Sequence, residues 1–119
     1  MGIVFYTNWF VPKTAAGCAR AIFIFIRPKY INDIGLLAHE RTHVRQFLRL
    51  PFIHSFLYLL NSKYRYNCEV EAYGRQLQVN GDRSRTMLYA EFICNYYKLD
   101  VDYDATVLDL LDAAGFDGP

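Results

Sequence analysis

The chain has 119 residues, a formal net charge of +1 at pH 7, 53% apolar residues and 17% aromatic residues. That is one domain's worth of sequence with enough apolar material for a packed core, which excludes a wholly disordered chain and a pair of domains. With no long block of Lys and Arg, nucleic acid is not the expected partner. The longest apolar stretch, Pro51 to Leu60, falls far short of the roughly 20 residues that a transmembrane helix needs.

Three widely spaced cysteines, Cys18, Cys68 and Cys94, form no C-x-x-C pair and read as reduced thiols. The segment Ile3 to Val11 lacks the basic start and small-residue cleavage site of a signal peptide, so a cytoplasmic location is expected.

In chain order, Ile3 to Val11 and Ala21 to Ile26 are rich in β-branched and aromatic residues and are separated by a Pro- and Gly-containing loop from Pro12 to Arg20. They are predicted to be two antiparallel neighbouring strands. Asn32 and Asp33 can cap a helix that runs to about Leu50, where Pro51 breaks it. Phe52 to Leu60 reads as a short apolar helix, a core or dimer-contact segment rather than a membrane-surface anchor. Asn61-Ser62 then caps a long helix to about Val79, and Asn80-Gly81-Asp82 stops it. Ser84 to Lys98 is a third long helix. Asp104 caps a last short one that ends at Gly115. The expected architecture is α+β: a single domain over 1–115 with a small antiparallel sheet packed on the first helix and two to three further helices. Residues 116–119 are expected to be a loose tail.

His39-Glu40-Arg41-Thr42-His43 spells H-E-x-x-H, which on a helix sets two imidazoles one turn apart with a carboxylate beside them. On a helical wheel His39, Glu40 and His43 share the apolar arc of Leu36, Leu37, Val44, Phe47 and Leu48, whereas Arg41, Arg45 and Arg49 take the opposite, solvent side. Such a pair of histidines is a zinc site in search of a third protein ligand, with a fourth position left for water. His54, Cys68, Glu69 and Glu71 are the candidates. Glu71 has Arg75 one turn on as an ion partner. Glu69 has no such partner and shares a face with Tyr66, Tyr73, Gln76 and Leu77, which makes it the preferred ligand. Zinc would lower the pKa of its bound water, Glu40 would take the proton as that water attacks a peptide carbonyl, and Tyr66 or Tyr73 could stabilise the oxyanion.

H-E-x-x-H followed by Glu69-Val-Glu-Ala-Tyr73 on a later helix resembles the gluzincin metallopeptidases, and the short chain is similar to their minimal members, the minigluzincins. The resemblance covers about residues 21–78. It implies a zincin-like fold, a zinc cofactor on His39, His43 and Glu69, Glu40 as catalytic base, and a protein or peptide substrate. It also implies that the strand before the motif helix, Ala21 to Ile26, lies at the cleft edge and pairs with extended substrate. Many gluzincins have an aspartate four residues after the ligand glutamate; here that place holds Tyr73. The alternative expectation is a zinc-stabilised binding or regulatory module without general proteolytic activity.

Overall fold

In the computed structural model, which describes residues 2–116, Phe23 to Ile26 form the middle strand of a three-stranded sheet. The strands are β1 (Ile3–Tyr6), β2 (Gly17–Arg20) and β3 (Phe23–Ile26), in the order β1-β3-β2. Successive side chains of β3 point to opposite faces. Ile24 and Ile26 are buried against α1 (Ile34–Arg49), while Phe23 and Phe25 lie on the far face with Phe5.

Two expectations about the sheet are corrected here. β1 and β3 are parallel rather than antiparallel, with Ile3 opposite Phe23 and Tyr6 opposite Ile26. Between them the expected loop contains a further strand, β2, which pairs antiparallel with β3 so that Gly17 faces Ile26 and Arg20 faces Phe23. Ala21 and Ile22, predicted to begin a strand, are instead the tight turn of this hairpin, with Ala21 held at φ +53°. The sequence hides the hairpin because its turn lacks the Gly or Asn that this conformation favours, and because β2, Gly-Cys-Ala-Arg, has no β-branched or aromatic residue.

Four helices follow α1: α2 (His54–Leu60), α3 (Ser62–Asn80), α4 (Thr86–Tyr96) and α5 (Tyr103–Ala114). The fold is thus α+β: each of the five stretches expected to be helical is a helix, so four follow the first where the expected architecture has two to three. The Asp33 carboxylate accepts the Leu36 N–H at 2.9 Å and caps α1, and Asn61 accepts the Tyr64 N–H at 3.0 Å to start α3. Gly81, at φ +65°, ends α3, where a left-handed residue costs glycine nothing. The cap of α5 is Asp102, which accepts the Ala105 N–H at 2.9 Å, and not Asp104.

Burial falls into two clusters. Sheet and α1 close over Ile24, Ile26, Leu36 and Val44, while α3, α4 and α5 close over Tyr73, Leu77, Tyr89, Ile93 and Leu110. Gly74 lets α3 and α5 approach closely, because a Cβ there would lie 2.6 Å from that of Ala113. The polar layer where α1 meets α3 lies between the clusters. Phe116, expected to open a loose tail, donates its N–H to Leu111 O at 2.9 Å and packs on the second cluster; residues 117–119 lie outside the described residues. Among the described residues no helix is long and apolar enough to cross a membrane.

Candidate metal centre

Helical spacing on α1 stacks His39 and His43 one turn apart, and packing against α3 brings Glu69 beneath them. His39 Nε2 lies 3.2 Å from His43 Nε2 and 3.7 Å from Glu69 Oε1, and His43 Nε2 lies 3.3 Å from Glu69 Oε2. Glu69 and His39 are buried. A tetrahedral zinc ion with ligands at about 2.0–2.1 Å holds its donors about 3.3 Å apart, so the two imidazole nitrogens are spaced as neighbouring corners of such a site and the Glu69 carboxylate stands beside both, one oxygen near each ring.

The tautomer of His43 strengthens the fit. Gln46 uses its amide nitrogen to donate to Cys68 O at 2.9 Å and to Glu71 Oε1 at 2.8 Å, which leaves its oxygen facing His43 Nδ1 at 2.8 Å. His43 must therefore donate from Nδ1, so its neutral ring presents a lone pair at Nε2 towards the other two donors. Gln76 comes up beside His39 and favours its protonated form, although His39 Nδ1 and Gln76 Oε1 are buried without a well-formed hydrogen bond. Glu69 Oε1 is likewise buried without a hydrogen-bond partner. A carboxylate oxygen left bare in the interior costs free energy unless a cation or proton meets it. The donor set of two imidazoles and a carboxylate suits zinc.

Without a metal the cluster holds a proton instead. At His43 burial opposes protonation, but the Glu69 and Glu40 carboxylates outweigh it and raise the ring to about 9. Burial, then the neighbouring His43, lowers His39 to about 3. Burial pushes the Glu40 carboxyl up to about 7, with Glu69 adding to the shift and His43 opposing it.

These residues lie at the floor of a cleft of about 620 Å³. Its walls are β2 and the loop before it on one side and Ser55, Tyr58 and Leu59 of α2 on the other, and the buried Glu40 lines the cavity between them. The edge strand at the cleft is β2; β3, expected in that role, is in the middle of the sheet. Among the described residues no strand pairs with the outer edge of β2.

Compared with protein-family models, curated proteins and solved structures, this chain matches none.

The remaining candidates go elsewhere. Glu71 meets Arg49 of α1 at 2.8 Å and Gln46, not its expected partner Arg75, which bonds Gln78. His54 Nδ1 pairs with Tyr64 OH at 2.8 Å, and burial raises the Cys68 thiol to about 11. Tyr66 points away from the cleft and donates to Asp109 on α5, so it is placed to brace α3 on α5 rather than to meet a reacting group. The Tyr73 ring meets His39 edge-on, with centroids 4.3 Å apart, and its hydroxyl bonds Tyr97 OH at 2.7 Å.

Sequence reasoning missed two tyrosines. Tyr58 donates its hydroxyl to Glu69 Oε2, and Tyr97 lines the cleft. The phenol of Tyr58 is held well above its usual range by burial and by Glu69, so it stays a donor. Its signal was faint: a tyrosine in an apolar run reads as core until α2 folds back on α3. Arg65 fixes that fold-back by donating to Tyr58 O at 2.7 Å and to Tyr97 O at 2.8 Å.

Proposed function

We propose that this protein is a zinc-dependent metallopeptidase. The observation that carries the reading is the convergence of His39, His43 and Glu69 donors, all within 4.8 Å of one another, on the floor of a cleft that Glu40 also lines. Structural zinc sites are closed by four protein ligands, whereas three donors opening onto a cavity leave a position for water or substrate. Bound there, zinc would polarise a peptide carbonyl and lower the pKa of a water molecule.

The chain's own residues supply the rest. Glu40 accepts the proton from the attacking water and returns it to the departing amine nitrogen. Gln46 holds His43 in the tautomer that offers Nε2, and Tyr58 fixes one oxygen of Glu69. The open edge of β2 fits an extended peptide by strand addition. The Tyr58 hydroxyl is taken up by Glu69, so oxyanion stabilisation falls to Tyr97, which lines the cleft, and to Tyr73, whose ring meets His39 and whose hydroxyl bonds that of Tyr97, in place of Tyr66.

The test is Glu40→Gln against a mixed-peptide library. The variant should bind zinc as the wild type does and lose hydrolysis by about a hundredfold or more. A zinc-loaded wild type as inert as Glu40→Gln would favour a zinc-stabilised binding module instead.

A further inference from the structure

The cleft over the metal centre has a second chamber. A cavity of about 690 Å³ is lined by α4 where the first is lined by α2, and it shares Pro12, Ala15, Gly17, His39, Glu40 and Tyr97 with the first. An extended peptide with one bond at the histidine pair therefore has room on both sides of that bond.

One wall of the second chamber is a ladder of rings. It starts at Tyr73 beside His39 and continues to Tyr89, 5.0 Å away between centroids. Phe92 follows at 6.1 Å, and Tyr96 ends the ladder a further 5.7 Å on, where it is 65% exposed. The rings thus lead from the buried histidine to the protein surface.

Four cations line the same chamber: Lys13, Arg27, Lys29 and Arg85. Two of them are engaged within the fold, Arg27 by donating to Ala15 O at 2.9 Å and Pro12 O at 2.8 Å, and Arg85 by pairing with Asp82 at 3.2 Å. Lys13 and Lys29 are exposed, and among the described residues neither forms an ion pair. Both are held in place. The Ala15 N–H donates to Pro12 O at 3.0 Å, so Lys13 stands on a tight turn that Arg27 clamps at both ends. Lys29 Nζ lies 5.1 Å from the centre of the Tyr30 ring, which also lines the chamber. The acids here are Asp33, which caps α1 and is balanced by that helix N-terminus, and Glu40 at the metal centre. In the first chamber Arg20 is the one Lys or Arg.

We propose that the second chamber binds a carboxylate of the substrate at Lys13 and Lys29, with an aromatic or aliphatic side chain on the ring ladder, so that the protein acts on acidic peptides. The inference rests on the proposed peptidase function for its occupant and adds the substrate class. Apolar walls with a few placed charges are the composition of a site in which the charges fix orientation and specificity. A basic peptide would meet Lys13 and Lys29 with like charge. An acidic side chain and a free C-terminus carry the same group, and matched peptides separate them.

Zinc-loaded Glu40→Gln is titrated with fluorophore-labelled peptides that hold Glu, Gln or Lys beside a phenylalanine, each with a free or an amidated C-terminus. The Glu peptide should bind at least about fivefold tighter than the Gln peptide and the Lys peptide weakest, with the differences shrinking as salt rises. An advantage that follows the free C-terminus instead of the glutamate upholds the proposal and assigns the carboxylate to the chain end. Lys13→Gln/Lys29→Gln should abolish the preference with zinc content and melting unchanged. Arg41→Gln/Lys63→Gln, which removes the same charge from exposed positions outside both chambers, should keep it. Tyr96→Ser should weaken every peptide and leave their order intact. Hydrolysis of the same peptides by the wild type is read in parallel. Selective binding without hydrolysis would overturn the peptidase reading and uphold the chamber. No binding, equal binding of all the peptides, or a preference that survives Lys13→Gln/Lys29→Gln would overturn the chamber's assignment.

Discussion

Gln46 Oε1 stands 2.8 Å from His43 Nδ1, and the amide that carries it is locked by its own donations to Cys68 O and Glu71. A glutamine three residues beyond the motif thus decides which nitrogen of His43 faces the other donors. Gln46→Ala should weaken zinc binding about 10–100-fold in a chelator competition. Glu71→Ala, which removes only one anchor of that amide, should cost severalfold.

Stability without metal should fall as pH rises from about 6.5 to 9. The folded His43 pKa, about 9, is above its unfolded value of 6.5. The stabilisation from its extra proton is therefore complete below 6.5 and gone above 9. Glu40, raised to about 7, acts in the same direction up to that pH, while the lowered His39 acts below the window. Melting temperature should drop by several degrees to about 10 °C across it. Zinc-loaded protein should show the reverse trend, since metal binding must displace the His43 proton, with about one proton released per ion at pH 7–8.

Tyr58 and Tyr66 have different partners, Glu69 for the first and Asp109 for the second. Tyr58→Phe removes the donor to Glu69 and should weaken zinc binding about three- to tenfold. Tyr66→Phe should leave zinc affinity and hydrolysis untouched and lower stability by about 1 kcal/mol through its lost contact with Asp109. Paired zinc titrations and thermal melts separate the two effects.

Gly74→Ala should destabilise the protein by about 1–3 kcal/mol, because the new methyl group meets Ala113 Cβ at 2.6 Å and neither helix can move without opening the core. Chemical denaturation measures it.

The helical part of the fold was legible because its signals are local. The α1 cap at Asp33, the stop at Gly81 and the end at Gly115 stand where Asp and Gly chemistry puts them. The periodicity of α1 likewise turned His39 and His43 inward, and the wheel of α3 turned Glu69, not Glu71, the same way. What escaped was non-local. The β2–β3 hairpin has a turn made by Ala21 against its preference, and the parallel pairing of β1 depends on that hairpin being there. The partner of Glu71 is Arg49, on another helix, and no spacing rule within α3 could offer it. Tyr58 comes to Glu69 only because Arg65 ties α2 back across α3.

The most direct test of the account is the metal content of the purified chain after equilibration with zinc and gel filtration, wild type beside Glu69→Ala and Glu71→Ala. The account predicts about one zinc per chain for the wild type and Glu71→Ala, and little or none for Glu69→Ala. Full zinc retention by Glu69→Ala, or a wild type that elutes without metal, would contradict it.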